Sequence, residues 1–150
     1  MLPKRVRCVH DRAMAQTLAL VALVVRDYDE ALEFYVGRLG FRLIEDTEIP
    51  NEGKRWVVVC PAGDGGCQIL LARASTPEQA ARVGDQTGGR VFLFIYTDDF
   101  ERDYHAYTAR RVEFVRPPRD MPYGRVAVFR DLYGNLWDLV QRSAAQPGRA

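Results

Sequence analysis

The side chains that most often carry acid–base and nucleophilic chemistry are scarce in this sequence. Its two histidines, His10 and His105, lie in no pattern that pairs them with a serine or cysteine nucleophile and a carboxylate. Adjacent carboxylates occur at positions 98–99 and 45–46, but neighbours on a strand point to opposite faces and make poor acid–base partners. The sequence also contains no phosphate-binding loop, dinucleotide-binding glycine pattern or nucleophile elbow. These residue types therefore predict no catalytic constellation.

The three cysteines predict neither a disulfide framework nor a metal site. Cys8, Cys60 and Cys67 are odd in number and match no paired C-x-x-C spacing. Cys60 and Cys67 flank a probable turn, so they could approach each other across it. Free thiols in a reducing compartment are the favoured interpretation.

Arginines and aromatic residues offer binding chemistry instead. Arg90 and Arg125 each stand at the start of a predicted strand, where an inward guanidinium would hold an anionic or carbonyl-bearing ligand by two parallel hydrogen bonds. The alternative is that both are ordinary surface charges at strand ends. Five aromatic residues are candidates for the core or for the wall of a cleft, and strand alternation places only about half of such residues inside. They are Trp56, Phe92, Phe94, Tyr123 and Trp137.

The strands and helices that position these residues form a pattern that begins in residues 17–75, which we call module one. The apolar run Leu18–Val25 predicts a strand covered on both faces. Asp27 then caps a predicted helix, with Glu30 three positions later as in a capping box, and Gly40 supplies a left-handed stop. Three more strands are predicted at Phe41–Asp46, Arg55–Cys60 and Cys67–Ala72.

The same order of elements returns in residues 89–142, which we call module two. A strand at Val91–Tyr96 is followed by a helix that begins after Asp98 and Asp99. Between the modules, Thr76 caps a short linking helix over about residues 76–83. Three further strands are predicted at Val112–Val115, Arg125–Arg130 and Leu136–Gln141, with a turn at 131–135. The chain is thus predicted to be α+β, with two tandem βαβββ modules whose paired curved mixed sheets surround a cleft.

Composition excludes several classes of protein. The 150 residues are 47% hydrophobic and 27% charged, which is the balance of one ordinary globular domain and not of a disordered or fibrous chain. A formal net charge of +1 argues against a nucleic-acid partner, which usually requires a concentrated basic surface. We expect one domain at 17–142, an N-terminal extension at 1–16 and a tail at 143–150.

Basic residues before the run Leu18–Val25 give it a superficial likeness to a signal peptide. Charged residues follow the run at once, without a small-residue cleavage site, and the run is too short to span a bilayer. We therefore expect a cytoplasmic protein without a membrane partner.

Two motifs within this duplicated pattern resemble the vicinal oxygen chelate superfamily, which includes glyoxalase I, bleomycin-resistance proteins and extradiol dioxygenases. The first motif comprises Asp27–Tyr35 followed by Leu39–Phe41, and the second is the closing hairpin Val128–Leu139. The resemblance covers about residues 17–142. It implies the fold predicted above, and it implies a homodimer with clefts near or across the subunit interface.

The resemblance also implies where a metal would bind. Family ligands lie on the first and last strands of each module, and the corresponding positions are Leu20, either Phe92 or Val91, and Asp138. The fourth is Gln68 if the modules align without a gap, or Leu70 if there is a gap of two residues. At best one carboxylate and one amide would face the cleft, which is a poor donor set for a catalytic cation. Asp138 could equally face water or pair with an arginine.

Two functions follow as hypotheses. The first is a metal-independent protein that binds a small molecule, needs no cofactor and lines its cleft with aromatic residues. The second is a metal-dependent lyase, isomerase or dioxygenase in which Asp138 is a retained ligand or general base. The predicted cleft residues are Gln68, Arg90, Phe92, Phe94, Tyr123, Arg125 and Asp138.

Overall fold

The computed structural model describes residues 15–63 and 65–144. Most of the predicted N-terminal extension and C-terminal tail, together with Cys8 and His10, lies outside the described residues. Module one contains strands β1 (Leu20–Val25), β2 (Arg42–Ile49), β3 (Lys54–Cys60) and β4 (Gln68–Arg73). Module two contains strands β5 (Val91–Tyr96), β6 (Glu113–Met121), β7 (Gly124–Arg130) and β8 (Leu136–Arg142). The helices are α1 (Tyr28–Leu32), α2 (Pro77–Ala80) and α3 (Phe100–Ala109).

Each module forms one four-stranded mixed sheet. The strand order is β1-β4-β3-β2 in module one and β5-β8-β7-β6 in module two. In both sheets the first and last strands of the module are parallel neighbours, and the remaining pairs are antiparallel. The predicted α+β fold of two tandem βαβββ modules is therefore confirmed.

The first helix begins where the sequence predicts and then changes form. The Asp27 carboxylate accepts hydrogen bonds from the backbone N–H groups of Asp29 and Glu30, both at 3.0 Å. The capping-box expectation for Glu30 is wrong, because its carboxylate instead bonds Arg26 and the Tyr133 hydroxyl. After α1 the chain continues as a π-helical segment over 33–38, and Gly40 follows in the predicted left-handed conformation.

One hydrophobic core joins the two modules. Side chains on the helix-facing sides of both sheets belong to a single buried cluster, which includes Leu23 and Leu71 of module one and Leu139 of module two. Tyr35, from the π-helical segment, and Trp137, on β8, are both almost fully buried, and their ring centroids lie 5.9 Å apart. The modules thus bury their helix-facing sides against each other.

A buried carboxylate ties the closing hairpin into this core. Asp131 accepts a hydrogen bond from the Tyr35 hydroxyl at 2.6 Å and another from the Trp137 indole N–H at 3.1 Å. It also accepts bonds from backbone N–H groups of the turn and from the Asn135 amide. Both carboxylate oxygens of Asp131 thus accept several hydrogen bonds, and these compensate for burying its negative charge.

The ends of the strands were predicted less accurately than the presence of the strands. β2 and β6 both extend further than expected, to Ile49 and Met121, and both contain irregular pairing. The apolar run that resembles a signal peptide supplies β1, which pairs with β4. Among residues 15–63 and 65–144, no helix is long and apolar enough to cross a membrane.

Candidate functional site

Each sheet has a side opposite the helices, which we call its open face. On β8, Trp137 and Leu139 point into the core, so alternation turns Asp138 and Val140 to the open face. On β3, Val57 and Val59 point into the core, so Trp56 belongs to the open face of module one. Along β3 and β8, the residues on the open face therefore alternate with the residues that pack in the core.

The open face of module two brings two predicted residues together. Phe94 on β5 is the pairing partner of Asp138 on β8, and Val128 on β7 lies directly across from Asp138 on its other side. Phe94 is 61% exposed, which is unusual for a large apolar side chain. Tyr96, two residues further along β5, is 58% exposed and carries the Arg142 guanidinium 4.7 Å from its ring centroid.

Asp138 is half-buried in this apolar setting. Its Oδ1 atom is buried and has no hydrogen-bond partner among the described residues. Burial raises the pKa of the Asp138 carboxyl, and the positive charge of Arg116 opposes that rise. An incompletely bonded carboxyl beside exposed aromatic rings is suited to contact a ligand.

Strand register decides which residue of module one corresponds to Asp138. Val58 pairs with Leu70 on β4, as Val128 pairs with Asp138 on β8. The loop before β4 contains seven residues, 61–67, whereas the loop before β8 contains five, 131–135. The two-residue gap is therefore the correct alignment, and Leu70 is the counterpart of Asp138. Gln68 lies at the start of β4 opposite Leu20, in the other sheet from Phe94.

The positions implied for metal ligands do not form a donor set. Leu20, Leu70 and Val91 are apolar, and Phe92 packs edge-on against Trp137 with the ring centroids 6.3 Å apart. The described residues contain no group of three histidine, cysteine, aspartate or glutamate side chains that could hold an ion. A single carboxylate with apolar neighbours does not fit a catalytic divalent cation.

Arg125 is part of the fold and does not lie in a cleft. Its guanidinium donates a hydrogen bond to Asp120 at 2.9 Å, forms an ion pair with Glu101 of α3 at 2.9 Å, and lies 5.4 Å from the Phe100 ring centroid. These contacts place it on the helix side of the sheet, away from Asp138. The physical reason is that the carboxylates at the start of α3 and the end of β6 already satisfy its charge.

The other predicted residues lie away from Asp138. Arg90 is exposed and lies just before β5. Its backbone carbonyl oxygen accepts a hydrogen bond from the Thr87 hydroxyl. Tyr123 belongs to the turn between β6 and β7, five positions from Val128, or about 16 Å along an extended strand. Phe92 faces the core, as described above. Of the predicted set, Phe94 and Asp138 form the candidate site.

Sequence reasoning missed two residues that matter to the site. Tyr96 lies on the same face of β5 as Phe94, and strand alternation alone was enough to find it. Arg73 lies one residue beyond the predicted strand Cys67–Ala72 and was not among the predicted site residues. It ends β4, lines a cavity, and has its guanidinium 5.2 Å from the Tyr28 ring centroid. Only the relative position of β4 and α1 reveals that contact.

Comparison with known sequences gives the same family. The family model for the glyoxalase/bleomycin resistance protein/dioxygenase superfamily matches residues 17–139. An uncharacterized protein of Shewanella frigidimarina is 58% identical over 134 residues, covering 89% of this chain and 99% of the relative. The uncharacterized protein YurT of Bacillus subtilis is 30% identical over 129 residues, covering 83% of this chain and 98% of the relative.

Solved structures agree with these sequence matches. UcmS2 is 28% identical, with a TM-score of 0.73 over 85% of this chain and 98% of that one. TnmS3, described as an antibiotic binding protein from Streptomyces sp. CB03234, is 30% identical, with a TM-score of 0.68 over 86% of this chain and 98% of that one. The family predicted from the two motifs is thus confirmed, and the chain belongs to the glyoxalase/bleomycin resistance protein/dioxygenase superfamily.

Proposed function

We propose that this protein binds a small molecule without a metal ion. The observation that carries the proposal is the setting of Asp138, a half-buried carboxyl whose partners on the open face are Phe94 and Val128. A metal ion needs several such donors, whereas a metal-free ligand needs one oriented polar contact and apolar walls.

The aromatic residues give the ligand its expected character. The Phe94 and Tyr96 rings expose enough area to stack against a planar molecule. Asp138 accepts a hydrogen bond when ionised and can donate one when protonated. Planar apolar molecules with one hydrogen-bonding group near the centre fit this arrangement.

A structural relative supports binding over catalysis. TnmS3 is described as an antibiotic binding protein and is 30% identical to this chain. The same fold carries unrelated activities in its family, so the relative motivates the proposal without determining the ligand.

Two measurements on the purified protein test the proposal. Elemental analysis after incubation with nickel, zinc, manganese or ferrous iron is expected to find no stoichiometric metal. A thermal-shift screen of planar aromatic compounds is expected to find stabilising ligands whose effect is lost in Phe94→Ala. Leu132→Ala is the matched control, because Leu132 is also an exposed large apolar residue but lies in the closing hairpin. One equivalent of metal that disappears in Asp138→Ala contradicts the proposal, as do ligands that Phe94→Ala leaves unaffected.

The alternative is a metal-dependent lyase, isomerase or dioxygenase that uses Asp138. The observation in its favour is the free Oδ1 atom of that carboxyl together with its raised pKa, which are features of many catalytic acids and bases. Metal binding in the experiment above makes lactoylglutathione-lyase and catechol-cleavage assays the next step.

The expected partner, besides the ligand, is a second copy of the chain. Exposed apolar residues lie on both modules: Leu43 and Ile44 on β2, and Phe94 and Tyr96 on β5. Burying such residues is the usual driving force for subunit association. The cytoplasmic location remains a prediction from sequence.

A further inference from the structure

The open face of module two carries an aromatic ring at one edge of the sheet and an arginine at the other. Phe94 on β5 pairs with Asp138 on β8. Val128 on β7 lies on the other side of Asp138, and Arg116 on β6 pairs with Val128. These four residues form one row across all four strands, which we call the Asp138 row.

A second row, two residues further along β5 and β8, repeats the arrangement. Tyr96 on β5 pairs with Val140 on β8. Val126 on β7 pairs with Val140 on one side and with Arg119 of β6 on the other. In both rows an exposed ring therefore stands at the β5 edge, an arginine stands at the β6 edge, and a buried valine of β7 lies between them.

The contacts of neighbouring residues fix the face on which both arginines lie. Asp120 bonds Arg125 on the helix side of the sheet, so alternation turns the preceding residue, Arg119, to the open face. The charge of Arg116 acts on the carboxyl of Asp138, which is itself an open-face residue. The two rings, the carboxyl and the two guanidinium groups thus belong to one face of one sheet.

Among residues 15–63 and 65–144, neither of these arginines forms an ion pair. No carboxylate oxygen in those ranges lies within 4.0 Å of the Arg116 or Arg119 guanidinium. Glu113 of β6 is engaged with Arg130. Asp138 stands on β8, two strand spacings from β6, or about 10 Å between backbones. The β6 edge of the open face therefore offers positive charge that an anion can pair with.

Module one shows that the fold does not require these side chains. Its row corresponding to the Asp138 row consists of Ala22, Leu70, Val58 and Glu45. Ala22 is thus the counterpart of Phe94, and Glu45 is the counterpart of Arg116. A sheet of the same strand order forms with a small side chain at one edge and a negative charge at the other, so the ring and the guanidinium of module two are not needed for folding.

We propose that the open face of module two binds an elongated planar aromatic anion. Its ring system stacks against Phe94 and Tyr96, and its anionic group accepts hydrogen bonds from Arg116 and Arg119. Asp138 lies between the two ends, where it meets a polar group of the ligand. The inference rests on the proposed function, because it concerns the same face, and it adds the charge and the length of the ligand.

The width of the sheet sets that length. β5 and β6 are the two edge strands, three strand spacings apart, or about 14 Å between backbones. A skeleton of three fused rings with a carboxylate at one end is long enough to contact side chains at both edges. Anthracene-2-carboxylate is such a molecule, and anthracen-2-ylmethanol is its neutral analogue.

Fluorescence titration of the full chain with these two compounds tests the inference. We expect one anthracene-2-carboxylate to bind per chain, with the alcohol about tenfold weaker, which is the scale of one charge-assisted hydrogen bond. Arg116→Gln is expected to raise the Kd for the acid about tenfold and to leave the Kd for the alcohol unchanged. Arg82→Gln is the control, because this exposed arginine lies in the linking segment, outside both rows.

The comparison of acid with alcohol uses the unmodified protein, so it remains decisive if Arg116→Gln does not fold. Equal affinity for the two compounds, absence of binding by the acid, or an unchanged Kd for the acid in folded Arg116→Gln overturns the inference. Failure of the proposed function is distinguishable from these outcomes. If acid and alcohol bind equally and Phe94→Ala abolishes both, the anionic ligand class is wrong and the proposed function stands.

Discussion

At the scale of single residues, Asp138 has a setting that opposes its own ionisation. The carboxyl is half-buried between Phe94 and Val128, and its Oδ1 atom lacks a hydrogen-bond partner among the described residues. Folding therefore costs free energy whenever this group is charged. A residue that lowers the stability of the folded protein is expected where its role is to contact a ligand.

The raised pKa of Asp138 has a definite consequence for stability against pH. At pH values between the ordinary pKa of 3.8 and the higher folded-state pKa, the folded protein retains a proton on this group that the unfolded chain has released. The free energy of unfolding contributed by Asp138 therefore falls as pH rises through the folded-state pKa. Asp138→Asn removes the ionisable group, so we expect a higher melting temperature than wild type at pH 7 and a smaller difference near pH 4.

Thermal unfolding of both proteins at the two pH values checks this prediction. Asp85→Asn is the control, because Asp85 is an exposed carboxylate whose only ion pair within residues 15–63 and 65–144 is with Arg82, at 3.8 Å. A difference between wild type and Asp138→Asn that does not change with pH contradicts the assigned cause.

At the scale of elements, the linking segment and the closing hairpin meet without space between them. Gly84 follows α2 with φ +78°, and a Cβ atom built there would lie 1.9 Å from the Tyr133 carbonyl oxygen. The Gln86 side-chain oxygen accepts a hydrogen bond from the backbone N–H of Val24 on β1, and the Gln86 backbone N–H donates to the Asn135 side-chain oxygen. The segment thus fills the junction between β1 and the hairpin.

Gly84→Ala is expected to destabilise the protein by about 3 kcal/mol or more, because neither backbone can move without disturbing this junction. Gly88→Ala is the matched control. Its φ of +62° imposes the same left-handed conformation, but nothing lies within 4 Å of the added carbon, so it should cost only about 1 kcal/mol. Denaturant unfolding of both variants measures the difference, and equal losses would show that backbone conformation alone matters.

The elements themselves could largely be predicted from sequence, whereas their register could not. Apolar runs and the Asp27 cap locate β1 and α1, because those signals are local. The counterpart of Asp138 depends on a two-residue difference in loop length, which leaves Gln68 and Leu70 equally possible until pairing is known. The placement of Arg125 was likewise not predictable, since its carboxylate partners Glu101 and Asp120 lie on other elements.

At the scale of the whole molecule, the two modules share a core and carry exposed aromatic side chains on their open faces. The core side is closed by the Tyr35–Asp131–Trp137 contacts. Phe94, by contrast, is a large apolar side chain that the described part of the chain leaves 61% exposed. Sheet edges add to this exposed surface, because β1 and β5 each lie at one edge of their sheet.

These exposed features predict a homodimer with a mass of twice 17.1 kDa by size-exclusion chromatography with light scattering. The resemblance to the family implies clefts near or across the subunit interface, so Phe94→Asp is expected to shift the equilibrium toward single chains by burying an unpaired charge. Leu132→Asp places the same charge in the closing hairpin and should leave the mass unchanged. A wild-type particle of 17.1 kDa at every concentration would contradict the dimer, and the open faces would then have to bind their ligands within one chain.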